Sequence, residues 1–193
     1  MLIRNNVITI AKGETPTYKA SFIDKITGVP YMISSGIENP VVEFVVRPSI
    51  YSRDNDYVFK VFVDQSEVHK FADDSPSSVV LVDDWTEGPV EGEEGLLHKR
   101  VIGDTVEYKY WDGDETSPTY HEWVDYEFSI TVTFPYTSTS KMENKTYKYE
   151  ISLFGCSGYI VDDNDKIIGL DGIDYKRILL EATDFIVGGS LSE

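Results

Sequence analysis

Apolar and polar residues alternate in short runs at the two ends of the chain, from Val7 to Pro48 and again from Tyr126 to Val187, and Gly, Pro, Asp and Asn bound those runs. A period of two sustained over four to eight residues is the pattern of half-buried strands. "VITIAKGETPTYKASFID" predicts strands over Val7–Ala11 and Thr17–Ile23 joined by a Gly13-Glu14-Thr15-Pro16 turn, with another turn near Thr27-Gly28. In "PVVEFVVRP", Val42, Phe44 and Val46 point one way and Val41, Glu43, Val45 and Arg47 the other; Pro48 closes the run because it cannot donate to a ladder. "YVFKVFVD" alternates too, with Tyr57, Phe59, Val61 and Val63 opposite Val58, Lys60 and Phe62.

The same grammar returns late in the chain. "VDYEFSITVTFP" puts Phe128, Ile130, Val132 and Phe134 on one face, and "KTYKYEISLFG" does so with Tyr147, Tyr149, Ile151 and Leu153. After a turn at Asp162-Asp163-Asn164-Asp165, "KIIGL" and "YKRILLEATDFIVGG" supply the last strands, Tyr175–Ala182 being read as strand rather than helix because its surroundings are β-rich.

The middle is different. "DQSEVHKFADDSP" allows one or two helical turns, with Val68 and Phe71 three apart; "SSVVLVDDW" reads as a strand and "TEGPVEGEEG" as a loop. A hairpin is expected from strands Thr105–Trp111 and Thr119–Trp123 around an Asp112-Gly113-Asp114 turn. The predicted architecture is therefore all-β, an antiparallel immunoglobulin-like β-sandwich with an elaborated central insertion. Residues 1–63 form its first part, 64–125 an acidic loop and hairpin insertion, and 126–193 the remainder with the C-terminal strands.

At 193 residues the chain can bury roughly 70% of its extended surface, enough for one core without disulfide support. The one cysteine, Cys156 in "LFGCSG", has no internal partner and reads as a small buried apolar side chain, which fits synthesis in a reduced cytosol. The opening "MLIRNNVITIAKG" lacks the apolar stretch and cleavage site of a secretory signal, and no run is long enough to span a bilayer, so no membrane insertion is expected. The Asn144-Lys145-Thr146 sequon has meaning only in a eukaryotic secretory setting.

Net charge is −17, from 34 acidic against 17 basic side chains. That field repels phosphate backbones and argues against nucleic acid as a partner. It otherwise describes a self-repelling surface, densest from Asp73 to Glu94, or an acidic face for a basic partner.

The order of the pieces resembles a known class. An early "KGET", a strand ending in Phe22-Ile23-Asp24, then "TGVP", "VVEFVVRP", and late "TYKYEISL" and "RILLEATDFIV" are similar to the immunoglobulin-like β-sandwich modules of phage virion proteins, above all the amino-terminal module of upper-baseplate proteins. The resemblance covers Ile8 to Pro48 and Thr146 to Val187; the stretch from Ser49 to Phe134 has no counterpart in it. It implies a non-enzymatic structural protein of a tail, baseplate or capsid surface. Such a protein is made in the host cytoplasm and resides in the virion, forms a homo-oligomer, touches other virion proteins and needs no cofactor.

The residues offer little competing chemistry. His69, His98 and His121 stand apart, with no H-E-x-x-H, G-x-S-x-G, P-loop or G-x-G-x-x-G motif, so no catalytic residue is expected. With 34 acids some carboxylate pair always lies at a glycosidase-like separation, so abundance carries no information. Asp112-Gly113-Asp114-Glu115 and Asp162-Asp163-Asn164-Asp165 offer oxygens to a hard cation, but they fit no EF-hand loop and Asp and Asn are ordinary turn formers, so no metal site is expected. Trp85, Tyr110, Trp111 and Trp123 are the interface or glycan-contact candidates. Tyr and Trp anchor protein interfaces, and sugar faces stack on indoles while hydroxyls bond neighbouring carboxylates. The alternative function is a carbohydrate-binding module that recognises host-surface glycans: a flat exposed row would favour it, whereas rings buried against a neighbour would favour assembly. The central insertion and the terminal "DFIVGGSLSE" are expected to make the contacts.

Overall fold

A computed structural model describes residues 2–4, 6–53, 55–64 and 68–188. Half of the chain is strand and 4% helix, so the protein is mostly β. In chain order the strands are β1 (Leu2–Arg4), β2 (Val7–Ala11), β3 (Thr17–Ser21), β4 (Ile33–Ser34), β5 (Val41–Arg47), β6 (Phe59–Asp64), β7 (Lys70–Phe71), β8 (Val80–Leu81), β9 (Leu97–Ile102), β10 (Thr105–Trp111), β11 (Trp123–Asp125), β12 (Ser129–Thr133), β13 (Thr146–Val161) and β14 (Ile167–Gly188); one turn of α-helix, α1, covers Tyr136–Thr139.

Contacts divide the chain into two compact units. The first comprises Met1–Ala20, Glu38–Ser66 and Ile130–Glu193, the second Ser21–Ile37 and Glu67–Ser129.

The first unit is built on a curled six-stranded sheet of order β1-β2-β14-β13-β5-β6. Its pairings are antiparallel except β14 with β2, which is parallel with Phe185 opposite Ile8 and Val187 opposite Ile10. An all-antiparallel arrangement was expected, and this mixed sheet departs from it. Strands at opposite ends of a chain are not tied by a hairpin, so nothing local dictates their relative direction. The curl has a visible cause. Along the β13–β14 ladder the register shifts four times, and each time β14 carries the extra residue. Every bulge bends its strand and adds twist.

Predicted alternation is realised where strands bury one face. Ile130, Val132 and Phe134 of the β12 segment and Tyr147, Tyr149, Ile151 and Leu153 of β13 are buried. Across the sheet Phe44 stacks on Tyr149 at 5.2 Å, and Phe134 lies 5.4 Å from Phe44 and 5.3 Å from Phe185. Through Tyr18 and Phe134 the small β3–β12 sheet thus packs on the large one. Central strand β5 buries both faces, Val41 and Val45 as well as Val42, Phe44 and Val46. Glu43 shares the face of Val41 and Val45. Burial raises its pKa and Lys60, 3.6 Å away, opposes that rise. Cys156 is buried as expected, and burial raises its thiol pKa.

The second unit is centred on a four-stranded sheet of order β11-β10-β9-β8, with the short parallel pair β4–β7. Three expectations change here. The hairpin's returning strand is Trp123–Asp125, not Thr119–Trp123, because Asp112 gathers the intervening loop: its carboxylate accepts from Asp114 N–H (3.0 Å) and the Thr119 hydroxyl (2.6 Å), and His121 takes φ 62°. β9, which was not foreseen, pairs with β10 across the two-residue turn Gly103-Asp104, where Gly103 supplies φ 58°. The helical turn expected around Val68 and Phe71 is instead β7 at Lys70–Phe71; residues 65–67 of that segment lie outside the described residues. Phe71, Leu97, Tyr126 and Phe128 form the buried centre, with Phe71 edge-on to Tyr126 at 4.8 Å and the Tyr126 hydroxyl donating to Tyr31 O at 2.7 Å. No helix among the described residues is long and apolar enough to cross a membrane.

Candidate functional site

The period-two rule sorts the aromatic residues of the second unit before any contact is measured. In β10, Glu107, Lys109 and Trp111 share one face and Tyr108 and Tyr110 the other. Register carries the first face across the sheet: Trp123 sits opposite Trp111, and Asp125 and His98 flank Lys109. Leu97 lies opposite Tyr110 on the second face. That second face is the core side. Tyr110 stacks on His69 at 4.1 Å and stands edge-on to Tyr126 at 6.3 Å, and burial raises the pKa of its hydroxyl. The candidate set therefore splits, and Tyr110 does not join the tryptophans.

Trp85, Trp111 and Trp123 do come together on the first face. Trp123 is the centre, 5.0 Å from Trp85 with planes at 57° and 5.2 Å from Trp111 at 72°. Trp85 arrives from the loop after β8, which Arg100 ties down by donating Nε–H to Asp83 O at 2.9 Å. Two indole edges are pinned: Trp85 Nε1 donates to Glu107 Oε2 and Trp123 Nε1 to Glu87 O, each at 2.8 Å. Gly88 lets the loop close over Trp111, since a β-carbon there would stand 3.2 Å from the indole. These tryptophans, with Lys109, Glu122 and Glu87, line an open concavity of about 390 Å³. All three rings are half-buried, so they form neither a flat exposed row nor a closed core.

Charges within the notch are already arranged. Lys109 Nζ bonds Asp125 Oδ1 at 3.0 Å and lies 5.6 Å from the Trp85 ring centre, a cation–π contact inside the fold. Beneath Trp123, His98 is fully buried; its Nδ1 is 3.1 Å from Leu96 O, Nε2 has no hydrogen-bond partner, and Glu93 stands 3.8 Å away. Burial lowers the pKa of His98, and likewise of His69, where the charge of Asp112 pulls the other way. His121 sits at the rim, stacked on Tyr120 at 3.8 Å. The three histidines stay apart, each in its own aromatic setting.

The acidic turns bind themselves. Ser117, Thr119 and the Asp114 N–H hold Asp112 below the usual carboxylate range, and Asp162 Oδ1 accepts from Asn164 and Lys166 N–H at 2.9 and 3.1 Å. Among the described residues no three His, Cys, Asp or Glu side chains converge on a metal-sized point.

A second feature was not anticipated as a site. β5 pairs with β13 only from Lys148 to Phe154, and β2 with β14 only from Phe185 onward. Past Cys156 the β13–β14 ribbon has no third strand among the described residues. Apolar side chains face solvent from the Cys156–Ile173 pair outward: Ile160 is 50% exposed, Ile168 54% and Ile173 55%. The signal was present in "YIVDDNDKIIGLDGID", where isoleucines recur beside acids. The terminal "GGSLSE", also expected to make contacts, lies outside the described residues. Compared with known proteins, the chain matches no family model, no curated protein and no solved structure.

Proposed function

We propose that this chain is a non-enzymatic structural protein of a phage virion, a component of the tail, baseplate or capsid surface that acts as an assembly and attachment scaffold. The observation carrying the reading is the β13–β14 ribbon. It leaves two strand edges unpaired beyond Cys156 and exposes a series of isoleucines along them. Open edges recruit a partner's strand, and exposed apolar area gains free energy when covered, at roughly 25 cal/mol per Å². The kind of particle comes from the resemblance of the opening and closing segments to virion modules. In this reading the first unit is a variant of the immunoglobulin-like sandwich: the six-stranded sheet is one layer, the β3–β12 pair a reduced second layer, and the ring contacts of Phe44, Phe134 and Tyr149 its inter-layer core.

Partners are other virion proteins and further copies of the chain, and the net charge of −17 disfavours packaged nucleic acid. An antibody to the purified chain, used on density-gradient fractions of lysate from its native source with gold labelling of the particle fraction, tests the proposal. Label on intact particles is expected. Signal confined to slow, free-protein fractions would sink it.

A further inference from the structure

We infer that the tryptophan notch of the second unit is a binding site for a single neutral sugar residue, such as the exposed end of a glycan chain. This goes beyond the assembly role and stands on different residues. Trp111 and Trp123 lie on the sheet face opposite Tyr110 and Leu97, where they cover His98 and leave part of their surface open, and loop and sheet are shaped around them. Two indole edges are satisfied internally by Glu107 and Glu87 O, so those rings have no N–H left for a ligand and meet it only through the ring surface that Lys109 over Trp85 and His98 beneath Trp123 leave open; His121 stacks beside Trp111 at 5.9 Å. The C–H face of a pyranose packs on an indole face, and its hydroxyls need acceptors and donors close by. Glu122 is an exposed acceptor on the wall, and Lys109, oriented by Asp125, is a donor.

Shape selects the size of the ligand. Rings inclined at 57° and 72° to a common neighbour make a corner that grips one ring, whereas a long polysaccharide face needs a coplanar platform. About 390 Å³ falls at the small end of ligand pockets, which run from about 300 to 1,000 Å³, in keeping with one sugar residue. Charge selects its class. Glu87 and Glu122 in a chain of net charge −17 repel uronates and sialic acids. A cationic ligand is disfavoured for another reason: the ammonium of Lys109 already occupies the cation position over Trp85.

The test begins with the full chain on an array of neutral and anionic oligosaccharides. Tryptophan fluorescence and calorimetric titration with methyl glycosides of the neutral hits follow. Saturable binding of at least one neutral glycoside is expected by about 10 mM, weak affinity being normal for so small a ligand. Trp111→Ala should weaken it at least tenfold. Because that variant could also loosen the sheet, Gly88→Ala provides a gentler probe. Its methyl group presses on the Trp111 ring and should weaken binding severalfold while lowering the melting temperature by no more than a few degrees, and Glu122→Gln should weaken binding likewise with an unchanged melting temperature. Absence of binding across the neutral panel, undiminished binding by Trp111→Ala, or preference for anionic sugars would each overturn the inference. So would a notch that captures a virion protein in competition with no sugar.

Discussion

The two halves of the β13–β14 ribbon share one ladder and meet opposite environments. Near the chain ends of the hairpin, Tyr147, Tyr149, Ile151, Leu153 and Phe185 are buried between β5, β2 and the rings of the β3–β12 sheet. Beyond Cys156 the same strands carry Ile160, Ile168 and Ile173 into solvent. Hydrogen bonding within the ladder continues across the boundary, so pairing alone does not distinguish the halves. What differs is burial: at the base β13 has exchanged its apolar surface for packing, although Ile178 of β14 stays half exposed there, and the tip has not. On the proposed function that exchange is completed by a partner.

The comparison is sharpened first at the base. Ile151→Ala should lose about 2–5 kcal/mol, the cost of a large-to-small change in a tight core, seen as a lower denaturation midpoint by circular dichroism. The junction comes next. Gly172 takes φ +55°, and a β-carbon there would lie 2.2 Å from Ser157 Oγ. Gly172→Ala should cost about 1–3 kcal/mol, and adding Ser157→Ala should recover part of it by removing the oxygen in the way.

Acid supplies a contrast with the ribbon as a whole, which holds no histidine. All three tryptophans and all three histidines belong to the second unit. Burial lowers the pKa of His69 and His98 when folded, whereas unfolded they take up a proton near the ordinary 6.5. Stability from these groups is therefore complete above pH 6.5 and falls below it, by up to about 1.4 kcal/mol per pH unit for each, until the folded form is itself protonated. Between pH 7 and 5 the tryptophan-fluorescence midpoint in urea should drop, and His98→Gln should reduce that drop. A midpoint independent of pH would contradict the assignment. The smallest effect is expected at the tip, where Ile168→Asp should change stability by no more than about 0.5 kcal/mol. A loss as large as that of Ile151→Ala would erase the distinction between base and tip.

How much of this could be read from residues alone follows the same divide. Alternation located β2, β5, β12 and the buried half of β13 because one-sided burial imposes a period of two. It read "KIIGL" and "YKRILLEATDFIVGG" as separate strands; in the fold Gly172 sits beside a bulge within the continuous β14. The parallel pairing of β2 with β14 depends on contacts between chain ends that no local pattern encodes. At the candidate site, Trp85, Trp111 and Trp123 were legible as chemistry-bearing residues. Their separation from Tyr110 was implicit in the alternation of β10 but needed the register with β9 and β11 to reveal which face was the core. The exposed isoleucines of the ribbon were hidden in plain apolar runs, which say that a strand is present and not whether anything covers it.

On the proposed function, the ribbon tip is the element by which this protein enters a particle. The most direct measurement is incorporation of the Ile168→Asp/Ile173→Asp variant into virions, scored by quantitative blotting of purified particles against wild type, with urea midpoints measured on both proteins. The account predicts near-equal midpoints and loss of the variant from particles. A variant that folds normally and is incorporated as fully as wild type would contradict it.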